Sequence, residues 1–163
     1  MGRPQTTVAY ASHTLIKAHR ACYHGIVIMP DLRSEPTPTS EAVTNNIRVE
    51  VIARYAPENA QQGEFVFQYT VRITNEGSES VQLRSRYWII TDALDHVEEV
   101  RGPGVVGEQP ALAPGQSFKY SSWCPLKTPT GTMRGTFQMV GANGAEFDVE
   151  IAPFALRARI TIH

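Results

Sequence analysis

Hydrophobic and polar residues alternate along most of the chain after Asn45. In residues 47–55, IRVEVIARY, apolar or aromatic side chains occupy every second position, and charged side chains fill most positions between them. Residues 64–74, EFVFQYTVRIT, repeat this alternation with aromatic and β-branched residues. A period of two with these residue types is typical of strands that bury one face. The pattern therefore predicts β-strands packed on a common core.

Turn residues separate further segments of the same kind. The seven predicted strands are 47–55, 64–74, 81–92, 96–101, 116–124, 131–141 and 146–156. Asn143 and Gly144, between the last two strands, are typical of a tight hairpin. About seven short strands at regular spacing, with no helical stretch, favour an all-β fold, an antiparallel β-sandwich.

Residues 1–43 lack this alternation, and the stretch SEPTPTSEA (34–42) favours neither a helix nor the interior of a sheet. We predict a poorly ordered N-terminal extension over 1–43 and a folded domain over 44–163. A chain that starts at Thr44 is then expected to keep the thermal midpoint of the full chain. Two alternatives for the extension are a targeting segment, since transit peptides are rich in arginine and poor in acids, and a translated leader upstream of the true start.

Composition excludes some classes of partner. The chain has 163 residues and a formal net charge of −1, so it carries no electrostatic footprint for nucleic acid or a membrane surface. No apolar run reaches the roughly 18 residues of a membrane helix. Cys22 and Cys124 fit no disulfide framework, which favours a reducing, cytoplasmic setting.

The segment RGPGVVGEQPALAPG (101–115) has the glycine spacing of a dinucleotide-binding fingerprint. The glycines are Gly102, Gly104 and Gly107. The fingerprint requires a helix after the glycines, and Pro110 and Pro114 prevent one. We interpret the segment as a loop whose glycines allow positive φ. The alternative is an anion nest, in which successive backbone amides and Arg101 hold a pyrophosphate.

A second candidate surface lies in the predicted strand VQLRSRYWIITD (81–92). Strict alternation places Arg84, Arg86 and Trp88 together on one face. Arginine beside tryptophan allows cation–π contacts and is typical of interface hot spots. These residues are therefore candidates for protein interaction. In the alternative interpretation, Trp88 is a core tryptophan and the faces are assigned the wrong way round.

Catalytic chemistry finds no support in the sequence. The predicted domain contains Cys124 and two histidines, His96 and His163. Nothing in the sequence brings the cysteine next to either histidine. Ser121 and Ser122 lack the flanking glycines of a nucleophile elbow. We therefore predict no catalytic residue and a protein that is not an enzyme.

Metal-binding candidates are weak as well. Carboxylates cluster around one predicted hairpin, at Asp92, Asp95, Glu98 and Glu99. Such oxygens can hold Mg²⁺ or Co²⁺ weakly, but we interpret them as an acidic turn in which Asp92 and Asp95 cap their own backbone. The histidines and the cysteine of residues 13–24 match no zinc spacing. No metal or cofactor is expected.

Over about residues 46–158 the chain resembles the ApaG family of small bacterial proteins, on the motifs WIITD, VRGPGVVGEQPAL.PG and GTMRG.FQMV. The resemblance implies a β-sandwich of the immunoglobulin or fibronectin type III kind. The family's name comes from genetic proximity to a diadenosine tetraphosphate hydrolase, and some members carry a cobalt/magnesium efflux label. Related domains in F-box proteins and in a DNA-polymerase-delta-interacting protein imply a protein-interaction module. Typical members begin close to Ile47, so residues 1–43 depart from the pattern.

Two function classes follow from these observations. The first is a non-enzymatic interaction module with a protein partner, bound on an exposed sheet face or strand edge. The second is a small-ligand binder that holds a nucleotide pyrophosphate, with or without a divalent cation, at the GPGVVG loop. Neither a membrane nor nucleic acid is an expected partner.

Overall fold

The computed structural model describes residues 24–25 and 39–159, which form ten strands and a short 3-10 helix. The strands are β1 (His24–Gly25), β2 (Ser40–Thr44), β3 (Ile47–Tyr55), β4 (Phe65–Asn75), β5 (Val81–Asp92), β6 (Val97–Pro103), β7 (Ala111–Leu112), β8 (Ser117–Leu126), β9 (Thr130–Gly141) and β10 (Glu146–Arg157). The 3-10 helix, Pro57–Asn59, lies between β3 and β4. All seven predicted strands are confirmed with small shifts at their ends, and β1, β2 and β7 are additional.

The strands form two antiparallel sheets. One sheet has the order β1-β8-β4-β3-β2, and the other has the order β10-β9-β5-β6, with β7 paired to one end of β5. β10 packs against β2 and β3, so β6 and β8 are both on the opposite side of the sandwich. The predicted antiparallel β-sandwich is confirmed. Within the described ranges, no helix has the length and apolar character needed to cross a membrane.

The core lies between the sheets and follows the predicted alternation. In β3, Ile47, Val49 and Val51 are at most 1% exposed. Both sheets contribute large buried side chains, among them Phe67, Ile73, Leu83, Trp88, Met133, Phe137, Met139 and Ile151. Full burial of such a side chain contributes about 1.5–3 kcal/mol, so the two inward faces are the main source of stability.

Strand β5 contains a register shift that changes which side chains face the core. Its pairing with β9 shifts between Leu83 and Ser85, so Arg84 is an extra residue in the ladder. A one-residue bulge exchanges the two faces for every residue that follows. Trp88 is consequently only 1% exposed. The predicted surface stripe of Arg84, Arg86 and Trp88 is wrong in its placement of Trp88, and the alternative, a core tryptophan, is observed.

The folded part of the chain begins before the predicted boundary at Thr44. β2 pairs with β3 along its whole length, and the Thr44 hydroxyl accepts a hydrogen bond of 3.1 Å from the backbone N–H of Glu150 in β10. Asn45 and Asn46 join β2 to β3 with φ of 48° and 61°, the left-handed conformation of a two-residue hairpin turn. The predicted boundary is wrong because a strand of five residues beside a proline-rich stretch shows too little alternation.

A chain that starts at Thr44 is expected to melt about 5 °C below one that starts at Thr39. The first chain lacks β2, which covers one edge of β3 and contacts β10, whereas the second keeps the whole hairpin. Thermal unfolding of both truncated chains and of the full chain, followed by circular dichroism, measures the difference. Equal midpoints for the two truncated chains would contradict a stabilising role for β2.

Candidate functional site

The glycine-rich segment after β6 forms a tight turn, here called the glycine turn (residues 102–109). The N–H of Val105 donates to the carbonyl of Glu108 at 2.8 Å, and the N–H of Glu108 donates back to the carbonyl of Val105 at 2.9 Å. Between them, Val106 and Gly107 have φ of 45° and 79°. Positive φ at both central residues is typical of a type I′ turn. The segment then continues into β7, so the predicted loop is observed in place of a helix.

Val106 is the unusual residue of the glycine turn. A β-branched side chain at positive φ is sterically unfavourable. Val106 is only 7% exposed, and its neighbour Val105 is fully buried. Burial of two valines against the core therefore offsets the local strain and holds the turn on the body of the domain.

The three glycines of the turn meet different steric demands. Gly104 has φ of 57°, and a Cβ there would lie 2.1 Å from the carbonyl oxygen of Glu108. At Gly107 the φ is positive but the space around it is open. A Cβ at Gly102 would lie 3.2–3.3 Å from the guanidinium of Arg86. Gly104 is therefore required by close backbone passage as well as by its φ.

The side chain of Arg86, in β5, donates hydrogen bonds to the backbone of the glycine turn. Its Nη1 donates to the carbonyl oxygens of Pro103 at 3.0 Å and Gly104 at 2.8 Å. In the pairing of β5 with its neighbours, Arg86 lies opposite Gly102 on β6 and Phe137 on β9. The guanidinium thus provides hydrogen bonds to two carbonyl groups of the turn. The prediction of a surface stripe did not include this role for Arg86.

The bulge in β5 supplies a second attachment for the turn. The carbonyl oxygen of Arg84 accepts hydrogen bonds from the N–H of Gly104 and from Nε2 of Gln109, each at 2.8 Å. The N–H of Leu83 donates to the carbonyl of Pro110 at 3.0 Å. The backbone of Arg84 therefore anchors the glycine turn, while its side chain is exposed.

Arg101, the predicted charge beside the nest, lies on the outer face of its sheet. Its guanidinium carbon lies 3.6 Å from the ring centroid of Tyr87, its partner across β5 and β6. Its Nη2 is 3.5 Å from a carboxylate oxygen of Glu99, and the side chain is 68% exposed. The Arg101 side chain is thus engaged in a cation–π contact and a surface ion pair.

The acidic turn between β5 and β6 is organised by one carboxylate. Oδ1 of Asp92 accepts hydrogen bonds from the backbone N–H groups of Leu94 (2.8 Å) and His96 (3.1 Å), and Oδ2 lies 3.2 Å from Nδ1 of His96. Desolvation raises the pKa of Asp92, but these hydrogen bonds outweigh it and hold the pKa below its ordinary value. The capping predicted for Asp92 is observed, whereas Asp95 occupies a left-handed position with φ of 62°.

The candidate metal ligands and nucleophiles of the described residues do not form a site. Among residues 24–25 and 39–159, no three His, Cys, Asp or Glu side chains come together in a way that fits a metal ion. Cys124 lies in the core and is 1% exposed, as expected of a structural cysteine. The histidines and cysteine at positions 13–22 lie outside the described residues, as does the side chain of His24.

The side of β8 that faces away from β4 is here called the β8 edge, and the two-residue strand β1 lies on it. On its other side β8 pairs with β4 along its whole length. On the β8 edge, His24 lies opposite Ser122 and Gly25 lies opposite Ser121 in antiparallel pairing. A segment distant in sequence is therefore added to this edge as a short strand.

Comparison with known proteins identifies the family. Residues 55–141, more than half of the chain, match the family model described as the ApaG domain. The chain belongs to the ApaG family. A protein named ApaG from Bordetella pertussis is 56% identical over 120 residues, which are 72% of this chain and 92% of the relative. One from Anaeromyxobacter dehalogenans is 55% identical over 117 residues, 72% of this chain and 94% of the relative.

A solved structure agrees with the ApaG assignment. The crystal structure of a protein named ApaA from Bordetella pertussis superposes with a TM-score of 0.68 at 56% identity, covering 71% of this chain and 95% of that one. The resemblance drawn from the sequence motifs is therefore confirmed. The glycine turn lies inside the matched ApaG region, whereas β1 and β2 lie before it.

The β8 edge was not among the predicted sites of this ApaG domain. Its partner, β1, has two residues, too few to produce a periodic signal. Nothing in the sequence relates His24 to Ser122, because strand pairing between distant segments is decided by tertiary structure. The hydrogen bonds from Arg86 to the glycine turn were not predicted either. The bulge at Arg84 places Arg86 on the opposite face of β5 from the one that strict alternation predicts.

Proposed function

We propose that this ApaG domain is a non-enzymatic binding module that takes an extended segment of a partner protein as a strand on the β8 edge, in the position that β1 occupies in this structure. The observation that carries the proposal is the antiparallel pairing of His24 and Gly25 with Ser122 and Ser121. Main-chain hydrogen bonds supply the affinity of such strand addition, and neighbouring side chains supply specificity.

The edges formed by β6 and β8, on the same side of the sandwich, differ in how well they are protected against pairing with another chain. β6 carries Glu98, Glu99 and Arg101 and ends at Pro103. Charged residues and proline on an edge strand oppose pairing with another chain. β8 carries one charged residue, Lys119, and its proline stands next to its last residue. The β8 edge is therefore the more favourable site for an added strand.

We propose no catalytic residue and no cofactor for the domain, and a cytoplasmic location. Cys124, which is buried and forms no disulfide among the described residues, suits a reducing compartment. Ser121 and Ser122 are 6% and 1% exposed, and the Ser121 hydroxyl lies 2.7 Å from the hydroxyl of Thr70. Buried serines that pack within a sheet support a binding role over nucleophilic catalysis.

Photo-crosslinking tests the proposal in the full chain. A benzoylphenylalanine at Trp123, on β8, is expected to give an adduct with a second protein in cells of the native host. The matched control is the same residue at Arg101, on β6, where no adduct is expected because that edge is charged. Adducts from Arg101 alone, or from neither position, would overturn strand addition on β8.

The second candidate function is the binding of a nucleotide pyrophosphate, with or without a divalent cation, at the glycine turn. A nest uses free backbone N–H groups, but those of Gly104, Val105 and Glu108 donate to carbonyls of the domain. Amide shifts at residues 101–107 that saturate with added pyrophosphate, and that disappear in Arg101→Ala, would favour this alternative over the proposed role.

A further inference from the structure

A cleft of about 180 Å³ opens at the end of the sandwich, between the end of β8 and the β5–β6 hairpin. We call it the end cleft, and it is lined by Glu64, Ile90, Asp92, His96, Val97, Glu98, Pro125, Leu126 and Lys127. Neither the glycine turn nor the paired part of the β8 edge belongs to it. Its lining comes from both sheets, so it exists only in the folded domain.

The floor of the end cleft is apolar. Ile90 and Leu126 are 3% and 6% exposed, and Pro125 lies beside them. Val97, at the mouth, is 60% exposed, and Leu94, in the adjacent turn, is 68% exposed. These two are among the few large hydrophobic side chains that the described part of the chain leaves in water.

The wall of the end cleft is acidic. Three carboxylates line it against one ammonium group. Lys127 pairs with Glu64 at 2.9 Å, and Asp92 is occupied by its own turn. Glu98 lies opposite the buried Ile90 in the β5–β6 ladder, so it shares the inward side of β6. Within the described residues no hydrogen bond or ion pair is found for its carboxylate, and desolvation raises its pKa above the ordinary value.

The end cleft continues the β8 edge. Position 25 of the added strand lies opposite Ser121, and position 24 lies opposite Ser122. Because this pairing is antiparallel, a strand docked in this way places its N-terminal residues toward Leu126 and the end cleft. A protein segment held on β8 thus delivers its upstream residues to an apolar floor and to the carboxylate of Glu98, which is exposed and has no ion pair among the described residues.

We propose that the end cleft is the recognition pocket for an arginine or lysine side chain of the partner segment. This inference rests on the proposed function in taking the ligand to be a protein. The alkyl part of such a side chain covers Ile90 and Leu126, while its cationic end pairs with Glu98. Long basic side chains combine these two properties, and an acidic or purely apolar side chain leaves Glu98 without a partner.

Short peptides test the end cleft separately from the β8 edge. Acetyl-Ala-Arg-Ala-amide is too short for an extended strand, and its citrulline analogue has nearly the same shape without the charge. On titration into the full chain, the arginine peptide is expected to shift the amide signals of Ile90, Val97 and Leu126. It is expected to bind about tenfold more tightly than the citrulline peptide, because a charge-assisted hydrogen bond is lost in the analogue.

Two neighbouring glutamates provide matched variants. Glu98→Gln is expected to reduce the affinity of the arginine peptide about tenfold, to the level of the citrulline peptide. Glu99→Gln is expected to change nothing, because Glu99 lies on the outer face beside Arg101. Equal affinities of the two peptides, unchanged binding in Glu98→Gln, or shifts confined to other residues would overturn the inference. Adducts at Trp123 without peptide binding would reject the end cleft alone, whereas the reverse result would reject strand addition alone.

Discussion

Trp88→Ala is expected to lower the free energy of unfolding by about 3–5 kcal/mol. The indole is fully buried between the sheets, with ring centroids 5.3 Å from Tyr69, 6.3 Å from Phe137 and 6.1 Å from Phe154. Truncation removes these contacts and leaves a cavity that the rigid sheets cannot close. Urea denaturation followed by circular dichroism measures the change.

Two further variants separate the core role of Trp88 from an interface role. Trp88→Phe is expected to cost less than Trp88→Ala, because Nε1 of the indole has no hydrogen-bond partner in the described structure and only volume is lost. Arg84→Ala, at the exposed bulge, is expected to change stability by less than about 0.5 kcal/mol. A Trp88→Ala protein as stable as the unmodified chain would contradict the core assignment.

Gly104→Ala is expected to lower the free energy of unfolding by about 3 kcal/mol. The new methyl group would meet the carbonyl oxygen of Glu108 at 2.1 Å, and the residue has φ of 57°. Relief of this overlap requires the turn to open, which breaks the hydrogen bonds between Val105 and Glu108. The measurement is again urea denaturation.

Gly107→Ala is the matched control for Gly104→Ala. Gly107 has a similar positive φ of 79° but open space around it, so the substitution is expected to cost only about 1 kcal/mol. The difference between the two variants isolates the steric overlap from the backbone preference. Equal losses would show that the close passage at Gly104 does not constrain the fold.

The strands of the sandwich were predictable because each carries its own signal. Residues 47–55 and 64–74 alternate at most positions, and the alternating apolar side chains form the buried faces of β3 and β4. The turn at Asn143 and Gly144 was equally local, since Gly144 has φ of 80° and the backbone closes between Gly141 and Ala145. Burial of one face fixes the alternation, so the pattern survives in the sequence.

Other features depend on contacts that the sequence does not encode locally. The bulge at Arg84 moves Trp88 into the core and Arg86 onto the glycine turn, and a single extra residue leaves no mark on composition. β2 was missed because its strand character comes from pairing with β3 through the turn at Asn45 and Asn46. In each case the pairing partner, and not the segment itself, decides the conformation.

The sequence by itself determined the family, the all-β class, the seven long strands and the turn nature of the GPGVVG segment, since periodicity and glycine chemistry act over a few residues. Tertiary structure alone decided the faces of β5 after its bulge, the hydrogen bonds that hold the glycine turn, and the partner of the β8 edge. It also brought Glu64, Glu98 and Leu126, from three different strands or their ends, around one cleft. The physical reason is that long-range pairing and close packing depend on which distant segments meet in space. The residue pattern within one segment does not specify its distant partner.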